Sequence, residues 1–126
     1  APTCVGPTVI VVDTSVWVAH LREGTTGLDT LLNEGKVVCH QFIIGELACG
    51  SLKHRPEILS LLQALEMAIP AEHEEVMRFI ENYRLMSKGL GYIDMHLLAS
   101  ALLTGVPLWT LDKKLNEAAK LLGLGY

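Results

Sequence analysis

The stretch Thr8-Val-Ile-Val-Val-Asp-Thr-Ser-Val-Trp17 constrains the fold more than any other part of the chain. From Val9 to Val12 β-branched residues run without polar alternation, as in a strand covered on both faces within a parallel sheet. Asp13 closes the run. Thr14 and Ser15 are helix-capping types, and Val16, Trp17, Ala19, His20 and Leu21 supply the first turns of a helix behind them. The carboxylate is thereby predicted at the C-terminal edge of a strand, where open α/β sheets bind ligands. Asp13 is the only charged residue among the first 21, so it was not placed there to wet a surface. Two readings stay open at this point, a functional carboxylate and a plain helix cap.

A chain of 126 residues is one domain of ordinary size. Residues 8–126 are read as that domain and residues 1–7 as a flexible N-terminal extension rather than a signal peptide. No apolar run reaches the ~18 residues of a membrane span. Three cysteines without a C-x-x-C pair argue against a disulfide framework and fit a reducing cytoplasm. Cys39 and Cys49 read as small buried hydrophobes. A net charge of −4 gives no general attraction for nucleic acid, so any such site must be local and mediated by cations.

Further along, Leu28, Leu31 and Leu32 space a short amphipathic helix, and Lys36–Cys39 is a strand candidate leading into a helix over Gln41–Gly50. Pro56 starts the next helix. Met67–Pro70 is expected as an edge strand cut off by its proline. Glu72, Glu74 and Glu75 load the first turn of a helix that Val76, Phe79, Ile80 and Tyr83 carry, as its buried stripe, to about Met86. A strongly apolar helix spans Tyr92–Thr104 and is closed by Gly105. Pro107–Thr110 is the next strand, followed by a helix over Lys113–Leu122, and Leu122–Tyr126 leaves room for a last short strand.

Four acids are singled out: Asp13, Glu46 and Asp94, each in uncharged surroundings, and Asp112, at the turn from a strand into the Lys113–Leu122 helix. Glu46 is the only charged residue between Val37 and Leu52, and Asp94 the only one between Gly89 and Leu111. A parallel sheet with right-handed crossovers puts its C-terminal strand edges on one side, so at least three of these acids can converge. Two carboxylates about 4–5 Å apart repel by roughly 3–4 kcal/mol at an effective dielectric near 20. A divalent cation removes that penalty. An all-oxygen donor set suits Mg²⁺ or Mn²⁺ rather than Zn²⁺, and no histidine has zinc spacing. His96 faces elsewhere on its helix and reads as structural.

Val-Val-Asp13-Thr-Ser-Val-Trp, Ile-Gly-Glu46-Leu, Asp94-Met-His-Leu-Leu-Ala-Ser-Ala and Trp-Thr110-Leu-Asp112 together resemble the PIN-domain ribonucleases, most closely the VapC toxins, over nearly the whole chain from Thr8. The resemblance implies a three-layer α/β/α fold with four to five parallel strands in order 3-2-1-4-5, and RNA cleavage with Mg²⁺ or Mn²⁺. Asp13, Glu46, Asp94 and Asp112 match the acidic positions, and Thr14, Ser15 and Thr110 the supporting hydroxyls. Asp13 and Asp94 are then expected to bind the metal directly, with Glu46 and Asp112 orienting water. Arg22, Lys113 and Lys114 are candidate phosphate contacts, with solvated surface cations as the alternative. The resemblance further implies a VapB-like antitoxin whose C-terminal segment packs beside the acids. Trp17 and Leu21 are candidates for that groove, against a plain core role, and self-association as a homodimer through other apolar helix faces is expected.

Other readings fit less well. A receiver-like signalling domain expects a second acid beside Asp13, where Thr14 stands. A haloacid-dehalogenase-like phosphatase expects Asp-x-Asp, where this chain has Asp13-Thr-Ser15. A non-catalytic PIN-like scaffold has no reason to keep four mutually repelling carboxylates.

Overall fold

The computed structural model describes residues 8–24 and 26–126; the extension expected over residues 1–7 lies outside them. The β-branched run forms β1 (Ile10–Val12), and all three of its residues are buried. It is the centre of a four-stranded parallel sheet with β2 (Val37–Cys39), β3 (Glu66–Met67) and β4 (Leu108–Trp109), in the order β3-β2-β1-β4. Register pairs Val11 with Val38 on one side and with Leu108 on the other, while Cys39 meets Met67 at the edge. The last strand expected over Leu122–Tyr126 shrinks to a single parallel bridge between Leu108 and Gly125. That bridge holds the fifth place in the order.

Helices fill every connection, as parallel strands require. Helices α1 (Thr14–Glu23) and α2 (Leu28–Asn33) lead from β1 to β2, and α3 (Gln41–Ala48) and α4 (Arg55–Ala64) from β2 to β3. Helices α5 (His73–Asn82) and α6 (Tyr92–Thr104) lead to β4, and α7 (Lys113–Leu121) follows it. The result is a three-layer α/β/α arrangement whose core includes β1, Val16, Ile43, Leu62, Leu97, Leu98 and Leu115.

Three expectations need correction. Helix α5 stops at Asn82 instead of reaching Met86, because Arg84 and Ser87 adopt positive φ and the turn they make buries Leu85. Tyr83, expected in the buried stripe, is 48% exposed at the helix's end. Cys39 is buried as expected but Cys49, the C-cap of α3, is exposed. Burial pushes the Cys39 thiol up to about 11, so it stays protonated and packs as a hydrophobe.

Candidate active site

Asp13 ends β1 and caps α1 with only a long bond, 3.4 Å, from Ser15 N–H. Its stronger partners are hydroxyls. Ser15 Oγ and Thr110 Oγ1 each donate to Asp13 Oδ2 at 2.8 Å. The same two hydroxyls accept from Leu111 N–H and Asp112 N–H at 3.0 Å, which clamps the start of α1 to the turn between β4 and α7. Since both hydroxyl protons point to Asp13, the 3.3 Å approach of Ser15 to Thr110 is a contact without a bond of its own. The plain-cap reading of Asp13 does not account for this clamp.

Two of the other acids are also held at helix starts. Asp94, at the third position of α6, reaches back to Gly91 N–H at 2.9 Å. Asp112 caps α7 by accepting from Leu115 N–H at 2.9 Å. Glu46, exposed on α3, accepts from Thr14 Oγ1 at 2.6 Å and so joins the site through the residue after Asp13. Burial raises the Asp94 carboxyl above its usual range, the Gly91 N–H lowers it, and the charges of Asp13 and Asp112 raise it further. These three aspartates therefore act on one another, each beside a helix N-terminus whose dipole offsets part of the repulsion.

Among the described residues, every hydrogen bond to these four carboxylates lands on a single oxygen: Oδ2 of Asp13 and Asp94, Oδ1 of Asp112, Oε1 of Glu46. The second oxygen of each acid accepts no hydrogen bond from the described residues. The only ion pair among the described residues is Lys36–Glu34, so no side-chain cation neutralises the group. No three Asp, Glu, His or Cys side chains among those residues stand close enough to enclose an ion alone. The donors these acids offer are all oxygens, the ligand type of Mg²⁺ and Mn²⁺ and not the nitrogen and sulfur set of a closed zinc site.

Residues 10–121 match the PIN domain. The chain belongs to the PIN-domain family. It is 45% identical over 111 residues to ribonuclease VapC32 of Mycobacterium tuberculosis, in strains CDC 1551 and H37Rv, covering 87% of this chain and 90% of those proteins. That likeness sets this PIN domain with the VapC type. The crystal structure of PAE2754 from Pyrobaculum aerophilum superposes with a TM-score of 0.63 at 18% identity, over 87% of this chain and 84% of that one.

A groove of about 620 Å³ opens beside Glu46 and Thr14 in this PIN domain, between α1, α3 and α4. Leu21 lines it, with Val18, Leu47, Leu52 and Ile58, and Arg22 and Lys53 stand at its walls. Trp17 does not. It is 1% exposed and packed in the core, its indole N–H without a partner, which removes it as a groove residue. On a helix Val18 and Arg22 follow Thr14 at four-residue steps along the groove side, while Trp17 is turned from that line toward the sheet. The spacing of Thr14, Val18, Leu21 and Arg22 is the sequence pattern that marks this face.

Of the other cations, Lys113 and Lys114 are exposed on α7. Lys114 lies against Gly89, where an added Cβ would come within 2.7 Å of its Cδ and Nζ. It therefore crosses to the loop that leads into Asp94. His96, read as structural, is buried, and its ring packs edge-on with Phe42 and Tyr92.

Proposed function

We propose that this PIN domain is a Mg²⁺- or Mn²⁺-dependent endoribonuclease, the toxin of a toxin–antitoxin pair acting in the cytoplasm. The observation that carries the reading is the set of four carboxylates, each fixed through one oxygen and leaving the other uncommitted, with no side-chain cation between them. The name of VapC32 adds ribonuclease as the activity of a close relative.

Asp13 and Asp94 would hold the ion directly, with Glu46 and Asp112 positioning water around it. When bound, the cation supplies positive charge for the phosphoryl transition state and lowers the pKa of water. The chain's own part is orientation. Ser15 and Thr110 fix the plane of the Asp13 carboxylate, Gly91 fixes Asp94, and Thr14 fixes Glu46 against rotation about its long side chain. Arg22, in the groove wall with Glu46, and Lys114, against Gly89 in the loop before Asp94, are suited to draw in RNA phosphates that the acids repel.

The groove beside Glu46 suits the C-terminal segment of a VapB-like antitoxin, its apolar side chains against Leu21, Val18 and Ile58 and a basic side chain reaching the acids. Ile69, Leu103 and Met67 are exposed apolar residues available to a homodimer. The deciding experiment is cleavage of RNA by protein freed of co-purifying peptide, with Mg²⁺, with Mn²⁺ and with chelator. Cleavage that persists in chelator would refute the metal dependence, and absence of cleavage with either ion would refute the nuclease.

A further inference from the structure

His40 and Ser100 are both buried, and a hydrogen bond of 3.1 Å joins His40 Nε2 to Ser100 Oγ. Nδ1 of the same ring accepts from Phe42 N–H at 3.0 Å, so the neutral ring carries its proton on Nε2 and His40 donates to the serine. One imidazole therefore caps α3 and ties it to α6. Serine, threonine, aspartate or asparagine would cap α3 as well, but their side chains end within reach of their own helix. A ring with nitrogens on opposite edges spans to a second one. No other hydrogen bond joins α3 or its cap to α6 among the described residues. Phe42 and His96 also meet edge-on, centroids 4.8 Å apart, a contact that tolerates sliding where a hydrogen bond does not. The start of α6 is tied separately to α5, by Tyr92 Oη 2.6 Å from His73 Nδ1.

The two helices so joined carry two of the site acids. Glu46 lies six residues beyond His40 and Asp94 six before Ser100, about 9 Å of helix in each case. The pair is outside the site and acts on it only through the helices. The other site elements have ties of their own. Thr14 to Glu46 joins α1 to α3, Leu111 to Ser15 joins the turn before α7 to α1, and Lys114 of α7 lies against the loop before α6. His40 and Ser100 close this ring on the side between Glu46 and Asp94. A packed apolar pair would fill the same space without desolvating two polar groups, so what the bond adds is a fixed register. We propose that His40 is a positioning residue which, through its bond to Ser100, sets α3 against α6 and thereby the separation of Glu46 from Asp94 that a divalent cation requires. The proposal rests on the metal-dependent nuclease reading above.

The test measures Mn²⁺ binding without RNA, by electron paramagnetic resonance of the free ion, in wild type, His40→Asn, Ser100→Ala and the double variant, with circular dichroism to check that each is folded. His40→Asn keeps a capping acceptor and is too short to reach Ser100. Ser100→Ala leaves the cap untouched and suits a helix. Each is expected to raise the Mn²⁺ dissociation constant on the order of tenfold. The double variant should raise it no further, since both changes break one bond. At saturating Mn²⁺ the KM for an oligoribonucleotide should stay near that of wild type while kcat falls. Unchanged Mn²⁺ affinity in folded Ser100→Ala, or losses that add in the double variant, would overturn the positioning role while leaving the nuclease intact. If His40→Asn does not fold, Ser100→Ala alone decides. A wild type that binds no Mn²⁺ removes the metal reading and the proposal with it.

Discussion

Ser15 and Thr110 meet from opposite ends of the chain, and each hydroxyl donates to Asp13 and accepts a backbone N–H. Removing one leaves a buried charge short of a donor, so Thr110→Val should cost roughly 1.5–3 kcal/mol, read from urea unfolding, and reduce cleavage as Asp13 loosens. Asp94 behaves differently. Burial, with Asp13 and Asp112, outweighs the Gly91 bond and raises its folded pKa above the ordinary 3.8, so the folded chain holds that proton more tightly than the unfolded one. Ionising it therefore costs stability above pH 3.8, fully so above the folded value. Asp94→Asn keeps an acceptor for Gly91 and should melt, without divalent ions at neutral pH, no lower than wild type, with any advantage fading as the pH falls toward 3.8. Its cleavage should drop at least about a hundredfold. A clear fall in melting temperature would contradict the crowding of the acids. Trp17→Ala is a core truncation and should cost roughly 3–5 kcal/mol without telling anything about a groove partner.

At the scale of elements, the N-terminus of α3 matters because that helix carries Glu46. His40 caps it, Nδ1 accepting from Phe42 N–H, which leaves the ring proton on Nε2 toward Ser100 Oγ at 3.1 Å. Burial, reinforced by the charge of His96, pulls His40 from 6.5 down to about 4. The stability of the neutral ring is intact above pH 6.5 and is lost as the pH falls through this window to about 4, because the unfolded chain takes up the proton first. His40→Asn keeps a capping acceptor without titrating, so its unfolding free energy should fall less between pH 7 and pH 4.5 than that of wild type. Across the site, Gly89 has φ +77° with Lys114 lying on it. Gly89→Ala should cost about 1–2 kcal/mol through its left-handed backbone and should raise KM for RNA by displacing Lys114.

For the molecule as a whole, binding of Mg²⁺ or Mn²⁺ to the folded chain alone must raise its melting temperature with ion concentration, and Asp13→Asn should flatten that dependence. Equal, flat profiles in both proteins would refute a shared metal site. The sheet was legible because unbroken β-branched runs and interleaved helices leave few parallel arrangements; Asp13, Glu46 and Asp94 stand out in the sequence because each is a lone charge in an apolar stretch, whereas Asp112 is followed at once by Lys113 and Lys114. What stayed hidden depends on which neighbour an element turns toward. Trp17 and Leu21 are one helical turn apart, yet one is core and the other lines the groove. The tie between His73 and Tyr92 joins two helices through side chains that no spacing rule relates.

The clamp on Asp13 closes 97 residues later, at Thr110. During synthesis the first acid leaves the ribosome early and stays without its anchor until β4 has formed, and Asp112 follows only two residues after Thr110. A chain cut short before Thr110 lacks both that anchor and Asp112, so a truncation there dismantles the site even where β1 to β3 can still pair.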